Sequence, residues 1–195
     1  MVATQHDIGG KERTLEAARN LFNQRGFHQT SMAELASCAQ VSVGQIYRLF
    51  KSKEDIINAI VESDSGERDR ELTRLCERLH AGEIDIEQTF ELLLLNFIDN
   101  HDEALSFDIL AEGFRDARVG ETISLMCGRF RQLLRDFACA ANPRLSGEAL
   151  AVAEEMILAC LFGLGHRSLS RPELSAAQTA RGTARMIIAA LRAID

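Results

Sequence analysis

Apolar residues in this chain recur every three or four positions rather than every second one. Ile86, Phe90, Leu93, Leu94, Phe97 and Ile98 form one stripe, widened by Leu92 and Leu95, and Ile123, Met126, Phe130, Leu133, Leu134 and Phe137 form another. That spacing puts each set on one face of an α-helix, and no run alternates convincingly with period two, so the pattern predicts an all-α chain. A long helix is expected from Lys53 to about Leu79, broken or bent near Ser65-Gly66 and followed by a turn at Ala81-Gly82. A short helix follows around Glu103 to Gly113, and the next ends at Asn142-Pro143. Two more run from about Ser146 to Ser168 and from about Glu173 to Ala193, divided by Ser170-Arg171-Pro172. With three helices at the N-terminus the expected total is nine, and Met1 to Gly10 is read as a short flexible arm.

The densest signals lie between Ser31 and Asp55. Ser31 with Glu34 and Ser42 with Gln45 each have the spacing of a capping box, in which a hydroxyl takes the amide three residues on and the longer side chain reaches back. Ser52 and Asp55 form a third cap. Met32, Leu35 and Ala36 give the first short helix a buried face, and Ile46, Leu49 and Phe50 do the same for the second. Between them Cys38-Ala39-Gln40-Val41 offers a small residue where two helices must come close. The second helix is left with Val43, Gly44, Gln45, Tyr47 and Arg48 off its apolar stripe. Those residue types suit a DNA groove: Gln bonds bidentately to adenine, Arg to guanine or a phosphate, Val meets a thymine methyl, and Gly removes bulk where backbone approaches. Lys51 and Lys53 follow at once, Lys53 at a helix N-terminus where a phosphate is favoured. Taken singly, each is as easily a packed or solvated side chain; as a set they point to a helix-turn-helix that reads DNA.

The same residues carry a family resemblance: Thr14-Leu15 with Ala17-Ala18, Leu21-Phe22, Gly26-Phe27, Thr30-Ser31-Met32, Ala36, Val41-Ser42 with Gly44, Ile46-Tyr47, Phe50 and Ser52-Lys53-Glu54. Over about residues 11 to 60 the chain resembles the N-terminal domain of the TetR family of bacterial transcriptional regulators. The resemblance implies that Tyr47 and Lys53 contact phosphates, that Thr30 supports the grip at the start of the second helix, and that Val43, Gln45 and Arg48 face bases or backbone. Leu49 stands where the family usually has His, so that phosphate contact is expected to be missing. The division implied is a DNA-binding domain over 1-52 and a helical ligand-binding and dimerisation domain over 53-195.

The net charge of −7 at first runs against this reading. Residues 1 to 60, however, carry seven Lys+Arg against six Asp+Glu, and residues 61 to 195 carry fifteen against twenty-three, so the acidity belongs to the second part. Repulsion from there is screened beyond roughly 8 Å at physiological salt. The five cysteines, Cys38, Cys76, Cys127, Cys139 and Cys160, are widely spaced with no CxxC and no His at metal spacing, which argues against zinc and fits a reducing cytoplasm. No cofactor is expected. There is no apolar run of signal-peptide or membrane-spanning length.

For the second domain the resemblance implies a small-molecule pocket among the middle helices and a four-helix bundle formed by the last two helices of two subunits. Apolar candidates for a pocket wall are Phe90, Leu94, Phe97, Phe107, Leu110, Phe114, Met126, Phe130 and Phe162, which would suit a hydrophobic or amphipathic ligand if they converge. Polar candidates are His101, Glu112, Arg115, Cys127, Arg129 and His166, although Glu112, Arg115 and Asp116 are also spaced for surface ion pairs. Ala159 and Gly163, and Ala180, Ala184 and Ile188, repeat at four-residue spacing and would allow close helix approach across a dimer interface or within the chain. A homodimer is expected because one short recognition helix reads few base pairs and two-fold pairing on a palindrome multiplies affinity. The chain therefore reads as a DNA-binding regulator, a repressor released from its operator by a hydrophobic small molecule; a constitutive helix-turn-helix module or an activator is the alternative. Enzymatic chemistry finds no nucleophile elbow, phosphate loop or metal-spaced His set to rest on.

Overall fold

The computed structural model describes residues 5–99 and 102–194. Among them are nine α-helices, one 3-10 helix and no strand: α1 (Gln5–Arg25), α2 (Met32–Cys38), α3 (Val43–Leu49), α4 (Lys53–His80), α5 (Ile86–Ile98), α6 (Glu103–Gly113), α7 (Ala117–Ala141), α8 (Gly147–Gly165), the 3-10 helix Arg167–Ser170 and α9 (Ala176–Ala193). The all-α expectation is met. Three details differ. Of the arm expected over 1-10, residues from Gln5 on are helical, and residues 1–4 lie outside the described residues. Helix α4 continues unbroken through Ser65-Gly66, where Ser65 is buried; the cost of one helical Gly, about 1 kcal/mol, is small against the packing of the flanking turns. The tail expected to extend α8 to Ser168 is a separate 3-10 turn.

Packing divides the chain into two compact units, residues 1–65 with 102–126 and residues 66–101 with 127–195, so that α4 and α7 each contribute to both. In the first unit Ala18, Phe22, Phe27, Leu35, Ala36, Ile46, Phe50, Ile56, Ile57, Ile60, Leu105 and Val119 form one buried cluster. It ties α1, α2, the start of α4, α6 and the start of α7 into a support for α3. Gly26 ends α1 at φ +85, a left-handed conformation that glycine adopts without strain, and its amide donates to Phe22 O at 2.8 Å. Gly120 has a different role: a Cβ there would sit 2.6 Å from Gly113 O, so only glycine lets α7 pass this close to the end of α6.

The second unit is built on α5, whose capping box of Asp85 and Gln88 forms as the pattern requires. Phe90, Leu93 and Leu94 are fully buried, and the Phe90 and Phe137 rings meet edge to face at 6.2 Å. Helix α9 packs along α5, burying Ala180, Ala184, Ile187, Ile188 and Leu191. Asn142 anchors the end of α7, its side-chain amide donating to Leu191 O at 2.9 Å and Ile194 O at 3.0 Å. Glu154 on α8 is buried and accepts from Arg131 and Arg135 of α7. No helix among the described residues is long and apolar enough to cross a membrane.

Candidate nucleic-acid interface

Helix α2 opens with the full capping box: Glu34 N–H donates to Ser31 Oγ at 3.2 Å, and Ser31 N–H donates to Glu34 Oε2 at 2.8 Å. The Ser31 amide and hydroxyl, with Arg25 nearby, hold the Glu34 carboxyl below its ordinary pKa. The helix ends on a Schellman pair, Val41 N–H to Ala36 O at 3.0 Å and Gln40 N–H to Ser37 O at 3.2 Å. Gln40 therefore takes a left-handed φ of 55°, a conformation its side chain gives no hint of. Arg13 Nε donates to the Ala39 carbonyl at 3.1 Å and ties the turn to α1.

Helix α3 is capped by Ser42, whose Oγ accepts from Gln45 N–H at 3.1 Å. Only this half of the expected second capping box forms. Gln45 turns away instead, and its Nε2 lies 2.9 Å from where a Cβ on Gly10 would be, buried and without a hydrogen-bond partner. In this state Gln45 is half-buried and packs against α1 rather than joining the exposed face of α3. Val43, Gly44, Tyr47 and Arg48, spaced i, i+1, i+4 and i+5, do share one exposed face. Val43 is 50% and Tyr47 53% exposed, and nothing lies within 4 Å of a Cβ built on Gly44. Lys51 follows, exposed, with its amide held by Asp55 Oδ2 at 3.0 Å.

Thr30 and Lys53 act on the scaffold. Thr30 is buried, and its hydroxyl donates to Gly26 O at 3.0 Å. Lys53 Nζ donates to Phe27 O at 2.6 Å and His28 O at 3.4 Å and lies 4.5 Å from the Phe27 ring centroid. The ammonium expected at a phosphate is thus engaged with the α1–α2 loop. Lys53→Met should destabilise the protein by about 1–3 kcal/mol through loss of this charged hydrogen bond. A thermal melt of the variant checks this, and a salt titration of DNA binding separates it from loss of a phosphate contact, which alone would flatten the salt slope.

Three carboxylates of α6 and its approach brace the same loop, and local pattern gave no sign of it. Asp102 accepts from Asn23, Asp108 Oδ2 accepts from Phe27 N–H at 2.7 Å, and Glu112 lies 3.0 Å from His28 Nε2 and 2.7 Å from Arg115. Glu112, expected in a surface pair, is buried. Asp116 pairs with Arg118, and the Val119 amide leads in holding its carboxyl below the ordinary value.

The pocket candidates separate on inspection. In the first unit Phe114 is 94% exposed, Phe107 is exposed, Leu110 is half-buried, and Met126 packs against the core beneath α3. In the second, Phe90 and Leu94 are plain core, while Phe130 is buried with the half-buried Phe97 ring 5.8 Å away. Burial raises the Cys127 thiol pKa. Phe162 is exposed, His166 Nδ1 lies 2.8 Å from Phe162 O, and Arg129 pairs with Asp69. His101 falls outside the described residues. Of the interface candidates, Ala159 and Gly163 are exposed on α8, but Ala180, Ala184 and Ile188 are buried toward α5 within the same chain, where they serve intrachain packing. Pattern reading missed the exposed Val152, Met156 and Met186; the signal was present, because α8 is apolar on both faces. No group of His, Cys, Asp and Glu among the described residues could hold a metal ion.

Residues 15–60 match the model of the bacterial regulatory proteins of the tetR family. The HTH-type transcriptional regulator UidR of Escherichia coli K12 is 34% identical over 112 residues, 56% of this chain and 54% of UidR. The chain thus spans about half the length of the curated relatives it matches first. Among solved structures, Salmonella enterica GusR superposes with a TM-score of 0.71 at 25% identity, over 92% of this chain and 95% of its own. The regulator FadR from Bacillus subtilis, solved with stearoyl-CoA, gives a TM-score of 0.71 at 16% identity over 91% and 97%. The likeness to bacterial regulatory proteins of the tetR family is thus carried by residues 15–60, and the chain as a whole has the fold of these solved structures.

Proposed function

We propose that the chain is a transcriptional regulator which binds a palindromic operator as a homodimer, acts in the cytoplasm as a repressor, and is released by a small apolar ligand. The observation that carries this reading is the single exposed face of α3, where Val43, Gly44, Tyr47 and Arg48 stand together above a buried Ile46 and are followed by Lys51. Arg48 supplies a bidentate donor set for guanine or a phosphate, Val43 a contact for a thymine methyl, and Tyr47 a hydroxyl for a phosphate. Gln45 would add an adenine contact on leaving its place beside Gly10. Its orphaned amide makes that exchange favourable, since an unsatisfied buried donor costs about 1–3 kcal/mol.

Ligand release is a matter of relative affinity. A molecule that binds better to a spacing of the two reading heads unsuited to the operator weakens operator binding by that difference, and the operator weakens ligand binding equally. The stearoyl-CoA held by the similarly folded FadR supports an apolar acyl or aryl ligand. Phe97, half-buried beside Phe130, is the aromatic wall we assign to it. Phe97→Ala should therefore blunt the ligand response and leave operator affinity in the free protein nearly intact.

Fluorescence anisotropy with the chain's own promoter region tests the DNA assignment. Arg48→Ala should weaken specific binding by about 1–3 kcal/mol, and Lys51→Ala should weaken all sequences alike and lower the salt slope by about one. If neither variant changes the titration, α3 is not the reading element.

A further inference from the structure

Helix α1 carries two consecutive glycines, Gly9 and Gly10, and glycine is a costly choice inside a helix. Only one of them answers to a steric need. A Cβ built on Gly9 meets nothing closer than Arg13 Nη1 at 3.6 Å, an ordinary contact. At Gly10 the same atom would lie 2.9 Å from Gln45 Nε2 of α3, too close for both to stay, and 3.6 Å from Leu49 Cδ1. Gly10 is buried and Gln45 half-buried, so the missing side chain at position 10 leaves the slot in which the Gln45 amide lies. The slot suits that amide poorly. Nε2 is buried with no hydrogen-bond partner, and the Gly10 carbonyl already accepts from the Thr14 hydroxyl at 2.8 Å.

A buried donor left unpaired forfeits the bond it would make elsewhere, so the slot holds Gln45 by packing alone. On an adenine the same amide would find both partners, Nε2 donating to N7 and Oε1 accepting from the N6 amino group. We propose that Gly10 is a positioning residue for base readout: it stores the Gln45 side chain against α1 in the free protein and gives it up to an adenine in the operator. A stored reader weakens operator binding by the fraction of time it spends outside the slot, and closing the slot removes that penalty. This rests on the reading of α3 as the DNA-contacting helix and adds to it the residue that sets how strongly Gln45 contributes.

Fluorescence anisotropy with the chain's own promoter region, measured well below the melt, tests the proposal. Gly10→Ala displaces only the far end of a flexible side chain. It should raise operator affinity about threefold to tenfold, the gain when an outward rotamer populated at about a third to a tenth becomes dominant. Gly9→Ala brings the same helix propensity without the collision, and should raise the melt while leaving operator affinity unchanged. The gain should vanish when Gly10→Ala is combined with Gln45→Ala. It should shrink when 7-deazaadenine, which lacks the N7 acceptor, replaces one particular adenine of the site. Equal gains from the two glycine variants would overturn the proposal, because the glycine would then act through helix stability. Weaker operator binding by Gly10→Ala, or its failure to fold, would overturn it as well, because the slot would then serve the packing of α3 on α1. If Gln45→Ala binds as the wild type does and no 7-deazaadenine matters, Gln45 reads no base and the proposal falls, while the response of Arg48→Ala still reports whether α3 is the reading helix.

Discussion

Phe22→Ala should destabilise the protein by about 3–5 kcal/mol, the cost of emptying a fully buried aromatic site that its surroundings can fill only in part. Phe22 is buried in the cluster that holds Leu35, Ile46 and Ile57, and its ring meets Phe27 edge to face at 5.3 Å. It is not itself a residue we assign to DNA. Its loss should nevertheless reduce operator binding, because α3 has only seven residues and one fully buried side chain of its own, Ile46. So short a helix depends on its support rather than on its propensity. Since domains are stable by only about 5–15 kcal/mol, a large share of the margin goes. Circular dichroism should show the melt lowered by roughly 6–20 °C, and DNA binding measured well below that melt should recover toward the wild-type value. A loss of less than about 1 kcal/mol would mean that the cluster does not bear the reading head.

Features that depend on neighbours in sequence were legible before any coordinates. The Ser31 and Glu34 box, the α6 boundaries and the stop at Asn142-Pro143 all stand where caps and periodicity put them. The outward face of α3 was legible too, because four of its residues are simply those the apolar stripe leaves over. Gln45 was not, since whether a side chain completes a cap or packs on another helix is decided by a glycine 35 positions away, Gly10. Nor was the bracing by Asp102, Asp108 and Glu112, whose partners lie about 80 residues distant. For α9 the periodicity identified Ala180, Ala184 and Ile188 as one stripe correctly, but a stripe of small residues fits a neighbouring helix and a second subunit equally well. Only the position of α5 turns it inward.

For the homodimer proposed above, that inward packing of α9 makes α8 the surface we assign to a second copy. Ala153, Ile157 and Leu161 recur every four residues on its buried side, while Val152, Met156, Ala159 and Gly163 repeat at intervals of four, three and four on the exposed side. Met156 is 61% exposed and Met186 on α9 is 74% exposed. An apolar row of this length on a helix already packed on its other face is what an isologous helix pair would cover. Met156→Glu would place a carboxylate at that surface twice, once from each subunit, at a cost of about 3–5 kcal/mol per uncompensated buried charge. Light scattering should then find a monomer at micromolar concentration, and affinity for a palindromic operator should fall at least about a hundredfold while the melt of the single chain barely moves. Ala184→Leu is the complementary change. Its site is fully buried against α5, so overpacking should cost about 1–3 kcal/mol of fold stability without altering the subunit count of the protein that remains folded. A Met156→Glu protein that stays dimeric would place the subunit contact elsewhere, and an Ala184→Leu protein that folds well but runs as a monomer would return the interface to the face of α9.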